Sequence, residues 1–196
     1  MGILEAPTPK HWNFFLALEE DVLRLARYLE PTEANFSSYS LELARLLMAA
    51  ASEVDVVAKQ LCQQIDPDAK ADGIARYKSV ILAAHPQLTT AEVMIPKFGL
   101  TFKPWERWGA HSKPLWWEAN NNVKHHRHTH FPEASLKHAL NAVAGLFVLL
   151  LFFYRKEGPE GGLSPDPTIF RIGQPFLVDR PMWGPDVNLY QLRGQT

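Results

Sequence analysis

In the first half of the chain, apolar side chains recur every three or four residues between polar ones, a periodicity typical of amphipathic α-helices. The first predicted helix begins with Thr8 as its N-cap and Pro9 in its first position, and Pro31 ends it. The second covers about residues 40–65 and the third about residues 72–84. The pattern therefore predicts a largely helical protein.

Two predicted helices carry the apolar positions that a core needs. In the second helix, which Ser40 would cap, six apolar residues follow a spacing of 4, 3, 4, 3 and 4, as in a seam that packs on another helix. These residues are Leu43, Leu47, Ala50, Val54, Val57 and Leu61. A later helix, predicted from Pro132 or Ala134 to Lys156, is apolar on all sides from Ala142 onward. We expect this later helix to be the centre of the bundle.

Shorter apolar runs predict a small β-hairpin between the helices. Residues 93–95 and 98–102 alternate as strands do, and Pro96 and Pro104 bound them. The hairpin would therefore be an insertion at about 92–104.

The last part of the chain has a different composition from the rest. Residues 157–196 hold six of the eleven glycines and six of the fifteen prolines, which predicts an extended, turn-rich tail, with Gly158 ending the helix before it. Residues 169–172 and 176–178 are expected to be short strands that add to the hairpin. The predicted fold is mostly α: a five-helix bundle over 1–156, with this C-terminal tail packed on the same domain.

The apolar stretch 142–154 is the one candidate for a membrane segment. Its thirteen residues fall short of the roughly 20 that a transmembrane helix needs, so a buried helix is the expected reading. The first residues lack the basic and apolar regions of a signal peptide. We therefore expect a cytoplasmic protein that does not interact with a membrane.

Charge is unevenly distributed although the chain is nearly neutral. The net charge is −1, but residues 1–67 hold ten acids against five bases, and residues 96–130 hold six bases against two acids. Five of the eight histidines also lie in 96–130. An anion-binding surface is therefore expected in that segment, unless the bases are merely spread over a solvated surface.

A helix predicted from Pro114 to about His128 crosses this basic segment, and its faces differ. One face combines an aromatic ring, an amide, a cation and imidazoles, which are side chains that hold phosphates or bases. Its members are Trp117, Asn121, Lys124, His125 and His128. Trp116 and Val123 mark the other face as the buried side, although whether Arg127 on that side meets the core or solvent is left open. The members of this face are Trp116, Ala119, Asn120, Val123, His126 and Arg127.

Glu53 is the polar residue closest to the seam of the second helix. We expect it to pair with Arg127 or with a histidine. The alternative to a functional site is that these polar groups only satisfy one another inside the fold.

The histidines also raise the question of a metal. His126 and His130 have the i, i+4 spacing of helical ligands, but no acid lies between them, and Lys124 and Arg127 would repel a cation. The single cysteine, Cys62, rules out a disulfide framework and is expected to be an inert core thiol. We expect neither a metal nor another cofactor.

The chain resembles an uncharacterised group of bacterial helical proteins. Three features carry the resemblance: the run Asn121-Asn122-Val123-Lys124-His125-His126-Arg127, the preceding Trp116-Trp117, and the helix with Ser40 and Glu53-Val54-Asp55. That group is similar to the HEPN class of helical bundles. The resemblance implies a bundle that forms a homodimer and that, as in many members, binds or cuts RNA.

The chain departs from the ribonuclease signature of that class, which is an arginine followed by a histidine after four to six residues. From Arg127 the corresponding residues are Pro132, Glu133 and Ala134, and from Arg107 they are Ser112, Lys113 and Pro114. The resemblance therefore bears on the fold more than on catalysis.

Three functions remain as hypotheses. The first is a HEPN-like module that binds RNA or a nucleotide through Trp117, Asn121, Lys124, His125 and Arg127, with His128 and Glu53 as further candidate ligand-binding residues. The second is a non-enzymatic helical protein that acts through a dimer or partner surface. The third is a metal-independent ribonuclease, with His125 as acid and base and Lys124 or Arg127 stabilising the phosphorane. Whether the protein is an enzyme is left open.

Overall fold

A computed structural model describes residues 9–110, 113–156, 163–179 and 189–193. This part of the chain is mostly helical, with a small β component, so the predicted fold class is confirmed. Its α-helices are α1 (Lys10–Leu25), α2 (Leu41–Ile65), α3 (Ile74–Ala84), α4 (Arg107–Ala110), α5 (Leu115–His130) and α6 (Leu136–Phe153).

Serine side chains fix the starts of the two central helices. The Ser40 hydroxyl accepts a hydrogen bond from the Leu43 N–H at 3.1 Å, which confirms the predicted cap of α2. The Ser135 hydroxyl does the same for the His138 N–H at 3.3 Å. The helix predicted to begin at Pro132 or Ala134 therefore begins just after Ser135, because Ser135 is the residue that caps it.

Other helix boundaries differ from the predictions by a few residues. Pro9 and Pro114 occupy the N-cap positions of α1 and α5 rather than the first helical position. Thr8 and Gly158 lie outside the described residues. The four-residue α4 has no counterpart among the predictions, since so short a helix shows no apolar periodicity.

Helices α2 and α6 form the centre of the molecule. All six residues of the predicted seam on α2 are buried, and so are fifteen residues of α6. By length and composition α6 is the one described helix that could cross a membrane, with a mean hydropathy of 1.9, but 83% of it is buried inside the protein. Such coverage is typical of the core helix of a soluble protein.

The predicted hairpin is present as β1 (Val93–Ile95) and β2 (Leu100–Phe102), which pair antiparallel. Phe98 belongs to the turn rather than to a strand, and Gly99 in that turn has a φ of 65°, which a glycine adopts easily. β3 (Arg171–Ile172) adds to β1, as expected for the first tail strand.

The second tail strand does not join the hairpin. β4 (Phe176–Asp179) pairs instead with β5 (Leu189–Leu192), a strand that was not predicted. The two strands form a separate two-stranded sheet. The Phe176 ring of this sheet packs edge-on against Phe152 of α6, with a distance of 5.2 Å between the ring centroids.

Glu19 of α1 ties the tail to the bundle. Its carboxylate is 2% exposed and accepts hydrogen bonds from three successive backbone N–H groups at 2.7, 2.7 and 3.0 Å. These groups belong to Thr168, Ile169 and Phe170.

Arg171 binds the backbone carbonyl groups of the same loop, residues 167–170. Its guanidinium donates to the carbonyl oxygens of Pro167, Thr168 and Phe170 at 2.6, 3.3 and 2.8 Å. We call Glu19, Arg171 and this loop the tail clamp.

Candidate anion-binding cleft

Helix α5 changes character at His126, whose φ of −136° and ψ of 37° are not helical. Before this kink the helix buries five residues, and from Lys124 to Thr129 every side chain is exposed. The helical projection grouped His126 and Arg127 with the buried Val123, because it assumed one uninterrupted helix. Both side chains are exposed.

A cleft of about 710 Å³ lies between the N-terminal part of α2 and the C-terminal part of α5. Four of the lining residues are apolar, and we call them the apolar wall: Leu41, Met48, Val123 and Phe131. The other four are basic, and we call them the basic wall: Lys124, His125, Arg127 and His128. We call this the α2–α5 cleft.

The four basic side chains have no internal counter-charge. Within the described part of the chain, none of them forms an ion pair or a hydrogen bond, and no acid lines the cleft. Lys124 and Arg127 are permanent cations, and the two histidines add charge when they are protonated. The cleft therefore attracts anions.

The apolar wall is accessible to a ligand. Leu41 is 66% exposed at the edge of the cleft, and Phe131 is partly buried. The half-exposed Tyr39 meets the Phe131 ring edge-on at a centroid distance of 5.4 Å. A planar or apolar group could thus lie against one wall while an anionic group contacts the other.

Three candidate residues do not take part in this cleft. Trp117 is only 8% exposed and packs its ring against Trp116, so it is not an open stacking surface. Asn121 is partly buried and is not among the residues that line the cleft.

Glu53 is the third of them. Glu53 was expected to pair with Arg127 or with a histidine, and it pairs with a histidine. The partner is His11 of α1, whose Nδ1 lies 2.5 Å from Oε1 of Glu53. Pairing with Arg127 was wrong. His11 and Glu53 are 42 positions apart, so no local sequence pattern links them.

The turn after α5 holds a network that the sequence did not indicate. Glu133 accepts a hydrogen bond from the Asn122 amide at 2.9 Å, and its other oxygen lies 2.6 Å from Nδ1 of His130. Partial burial acts to raise the pKa of Glu133, but the two hydrogen bonds and the nearby charges of His130 and His138 together outweigh burial and hold that pKa below its usual range. The network fixes the end of α5, where the basic wall lies.

Two features of the described residues bear on metal binding and on nucleophilic catalysis. The described residues contain no group of three or more His, Cys, Asp or Glu side chains that could hold a metal ion. Cys62 is buried, and burial raises the pKa of its thiol to about 11, so the reactive thiolate is scarce at neutral pH.

No family model, curated protein or solved structure matches the chain. The HEPN resemblance therefore stays a prediction, and the residues of the α2–α5 cleft are the basis for assigning a function.

Proposed function

We propose that this protein is a cytoplasmic, HEPN-like helical module that binds RNA or a nucleotide in the α2–α5 cleft. The observation that carries the proposal is the basic wall, where Lys124, His125, Arg127 and His128 lie together without an acid. Side chains of this kind bind phosphate oxygens, and the apolar wall suits a base or a sugar.

Binding of this kind has a characteristic salt dependence. Each phosphate that a cation neutralises on a single strand contributes a slope of about −0.7 to log K against log salt. Lys124 and Arg127 alone therefore predict a slope of about −1.4, which becomes steeper when the histidines are protonated.

The direct test is fluorescence anisotropy with a labelled single-stranded RNA over a series of salt concentrations. We expect saturable binding that weakens with salt and that the double variant Lys124→Gln/Arg127→Gln loses. The matched control is Arg27→Gln/Lys70→Gln, which removes the same two types of charge from exposed positions outside the cleft. Equal losses in the two double variants, or no binding at low salt, would overturn the proposal.

A second candidate function is self-association through the same edge of α2. The two exposed apolar side chains Leu41 and Tyr39, 66% and 50% exposed, favour it. Sedimentation velocity would measure whether a dimer exists and whether Leu41→Glu dissociates it. Val56→Glu is the control, since Val56 is an exposed apolar residue of α2 that does not line the cleft. A monomer at all concentrations excludes this candidate.

A third candidate is metal-independent RNA cleavage, because His125, Lys124 and Arg127 line one cleft. In this reaction His125 would accept the proton of the 2′-hydroxyl as the O2′–P bond forms, and a cation would stabilise the phosphorane. His125 would then give the proton to the 5′-oxygen as the P–O5′ bond breaks, which leaves a 2′,3′-cyclic phosphate and a free 5′-hydroxyl. Incubating RNA with the protein in a chelator tests it: cleavage must occur and must be lost in His125→Ala. Intact RNA alongside clear binding leaves the binding proposal in place and excludes the nuclease.

A further inference from the structure

A second, smaller cavity of about 100 Å³ opens where four segments meet: the residues just after β2, helix α4, the start of α5 and the N-terminal part of α6. It shares no lining residue with the α2–α5 cleft. A single water needs about 10–15 Å³ measured with a probe of water size, so the cavity has room for a small polyatomic ion. We call it the Lys137 cavity.

Three cations line the Lys137 cavity: Lys103 just after β2, Arg107 of α4 and Lys137 of α6. Lys103 contacts Glu92 at 3.1 Å. Arg107 contacts Glu118, also at 3.1 Å, through one terminal nitrogen. A lysine has three donors and an arginine five, so both keep donors for a ligand.

Lys137 is the cation without a partner. Its side chain is exposed and forms no ion pair within the described residues. Glu106 is the one acid on the described lining. Because Glu92 and Glu118 already pair with Lys103 and Arg107, Lys137 is the lining cation whose charge the described acids leave unpaired.

The wall behind these cations is fixed by packing. Trp116 is 2% exposed and its indole N–H donates to the Pro104 carbonyl at 2.9 Å. A Cβ at Gly145 would stand 2.9 Å from the Trp116 ring, so the ring lies directly on the α6 backbone. His138 also lines the cavity, and its Nδ1 donates to the Glu133 carbonyl at 2.9 Å. Cations on a rigid frame suit a ligand of fixed shape.

We infer that the Lys137 cavity binds a tetrahedral oxyanion, either orthophosphate or the terminal phosphate of a nucleotide. Lysine and arginine are the side chains that bind such groups through charge-assisted hydrogen bonds. The Lys137 cavity is separate from the α2–α5 cleft. This inference is therefore tested independently of RNA binding.

The experiment titrates the whole protein with potassium phosphate against potassium chloride at matched ionic strength, by calorimetry and by tryptophan fluorescence. Trp116 lies on the cavity wall and reports occupancy. We expect saturable phosphate binding that Lys137→Gln weakens about tenfold, as the loss of one charge-assisted hydrogen bond does. The matched control is Lys70→Gln, an exposed lysine that lines neither site.

Two further measurements complete the test. Lys124→Gln should leave phosphate binding unchanged, because Lys124 belongs to the cleft. A titration with adenosine 5′-monophosphate, with adenosine as its control, distinguishes the two sources of the oxyanion. If adenosine 5′-monophosphate binds with the same dependence on Lys137, the site takes the phosphate of a nucleotide. If orthophosphate binds and adenosine 5′-monophosphate does not, the site takes the free ion. The inference is wrong if phosphate does not bind saturably, or if binding depends on Lys124 and not on Lys137.

Discussion

Arg171 in the tail clamp and Arg127 in the α2–α5 cleft carry the same guanidinium group in opposite surroundings. Arg171 donates to three backbone carbonyls of its own loop, while the amides of that loop are bound by the buried Glu19. Arg127 is exposed and has no partner within the described residues. The polar groups of the clamp are satisfied inside the fold, whereas those of the cleft are available to a ligand.

This difference separates polar residues that stabilise the fold from polar residues that are available for function. A polar group that the fold uses is costly to remove, since its removal leaves buried partners unsatisfied. A group that the fold does not use can be removed with little effect on the free energy of unfolding. The comparison therefore predicts a graded series of effects.

Glu19→Ala should have the largest effect. It leaves the backbone N–H groups of Thr168, Ile169 and Phe170 without this acceptor. The last two are buried, and each buried N–H without an acceptor costs about 1–3 kcal/mol, so we expect a loss of about 2 kcal/mol or more. Urea denaturation measures it. Glu20→Ala is the control, because the neighbouring Glu20 side chain is 68% exposed and its ion pair with Arg24 contributes little. Similar losses in both variants would show that Glu19 does not hold the clamp.

Gly145→Ala should be next. The added Cβ would stand 2.9 Å from the Trp116 ring, and the ring cannot retreat without breaking its bond to Pro104. We expect overpacking to cost about 1–3 kcal/mol in the same denaturation experiment. At Gly109 a Cβ would meet nothing within 4 Å, so Gly109→Ala should be tolerated. An unchanged Gly145→Ala variant would mean that the wall of the Lys137 cavity is loose.

The Glu133 network should have a smaller, pH-dependent effect. Because the folded pKa of Glu133 is lowered, its stabilisation is present above the unfolded pKa of about 4.3 and is lost as the pH falls through the folded value. The side chain is 33% exposed, so we expect less than about 1 kcal/mol. Denaturation of wild type and Glu133→Gln at neutral and acid pH should give curves that converge in acid. A constant difference would contradict this assignment.

The double variant Lys124→Gln/Arg127→Gln should have the smallest effect on stability. Its side chains have no described partner to lose, so we expect a change within about 0.5 kcal/mol. Thermal unfolding would measure it on the same preparation used for RNA binding. A large loss would place these cations with the clamp and remove the basis of the proposed function.

Much of the fold follows from local sequence patterns. The spacing of apolar residues on α2, together with Ser40 as its cap, predicted a buried helix and its start. Continuous apolarity predicted that α6 would be buried. Both rest on interactions between residues that are close along the chain, where periodicity and capping are informative.

The site was predicted less completely, for two physical reasons. A helical projection cannot show a kink, so it grouped Arg127 with buried residues and left open whether Arg127 faces the core or the cleft that it lines. Contacts between distant segments leave no local pattern, so neither the His11 partner of Glu53 nor the clamp that Glu19 makes with residues 168–170 was found. The unbalanced charge of 96–130 was the signal that did locate the basic side chains.

The kink at His126 has a consequence for how the cleft can adapt. In a regular helix, the positions of Lys124 and Arg127 relative to each other follow from a fixed rise and rotation per residue. Here the non-helical φ and ψ of His126 lie between them, so the separation of their two Cα atoms depends on the dihedral angles of this one residue as well as on helix geometry. A substitution at position 126 that restores helical angles would therefore change the spacing of the two cations without replacing either of them and without touching the α2–α6 core.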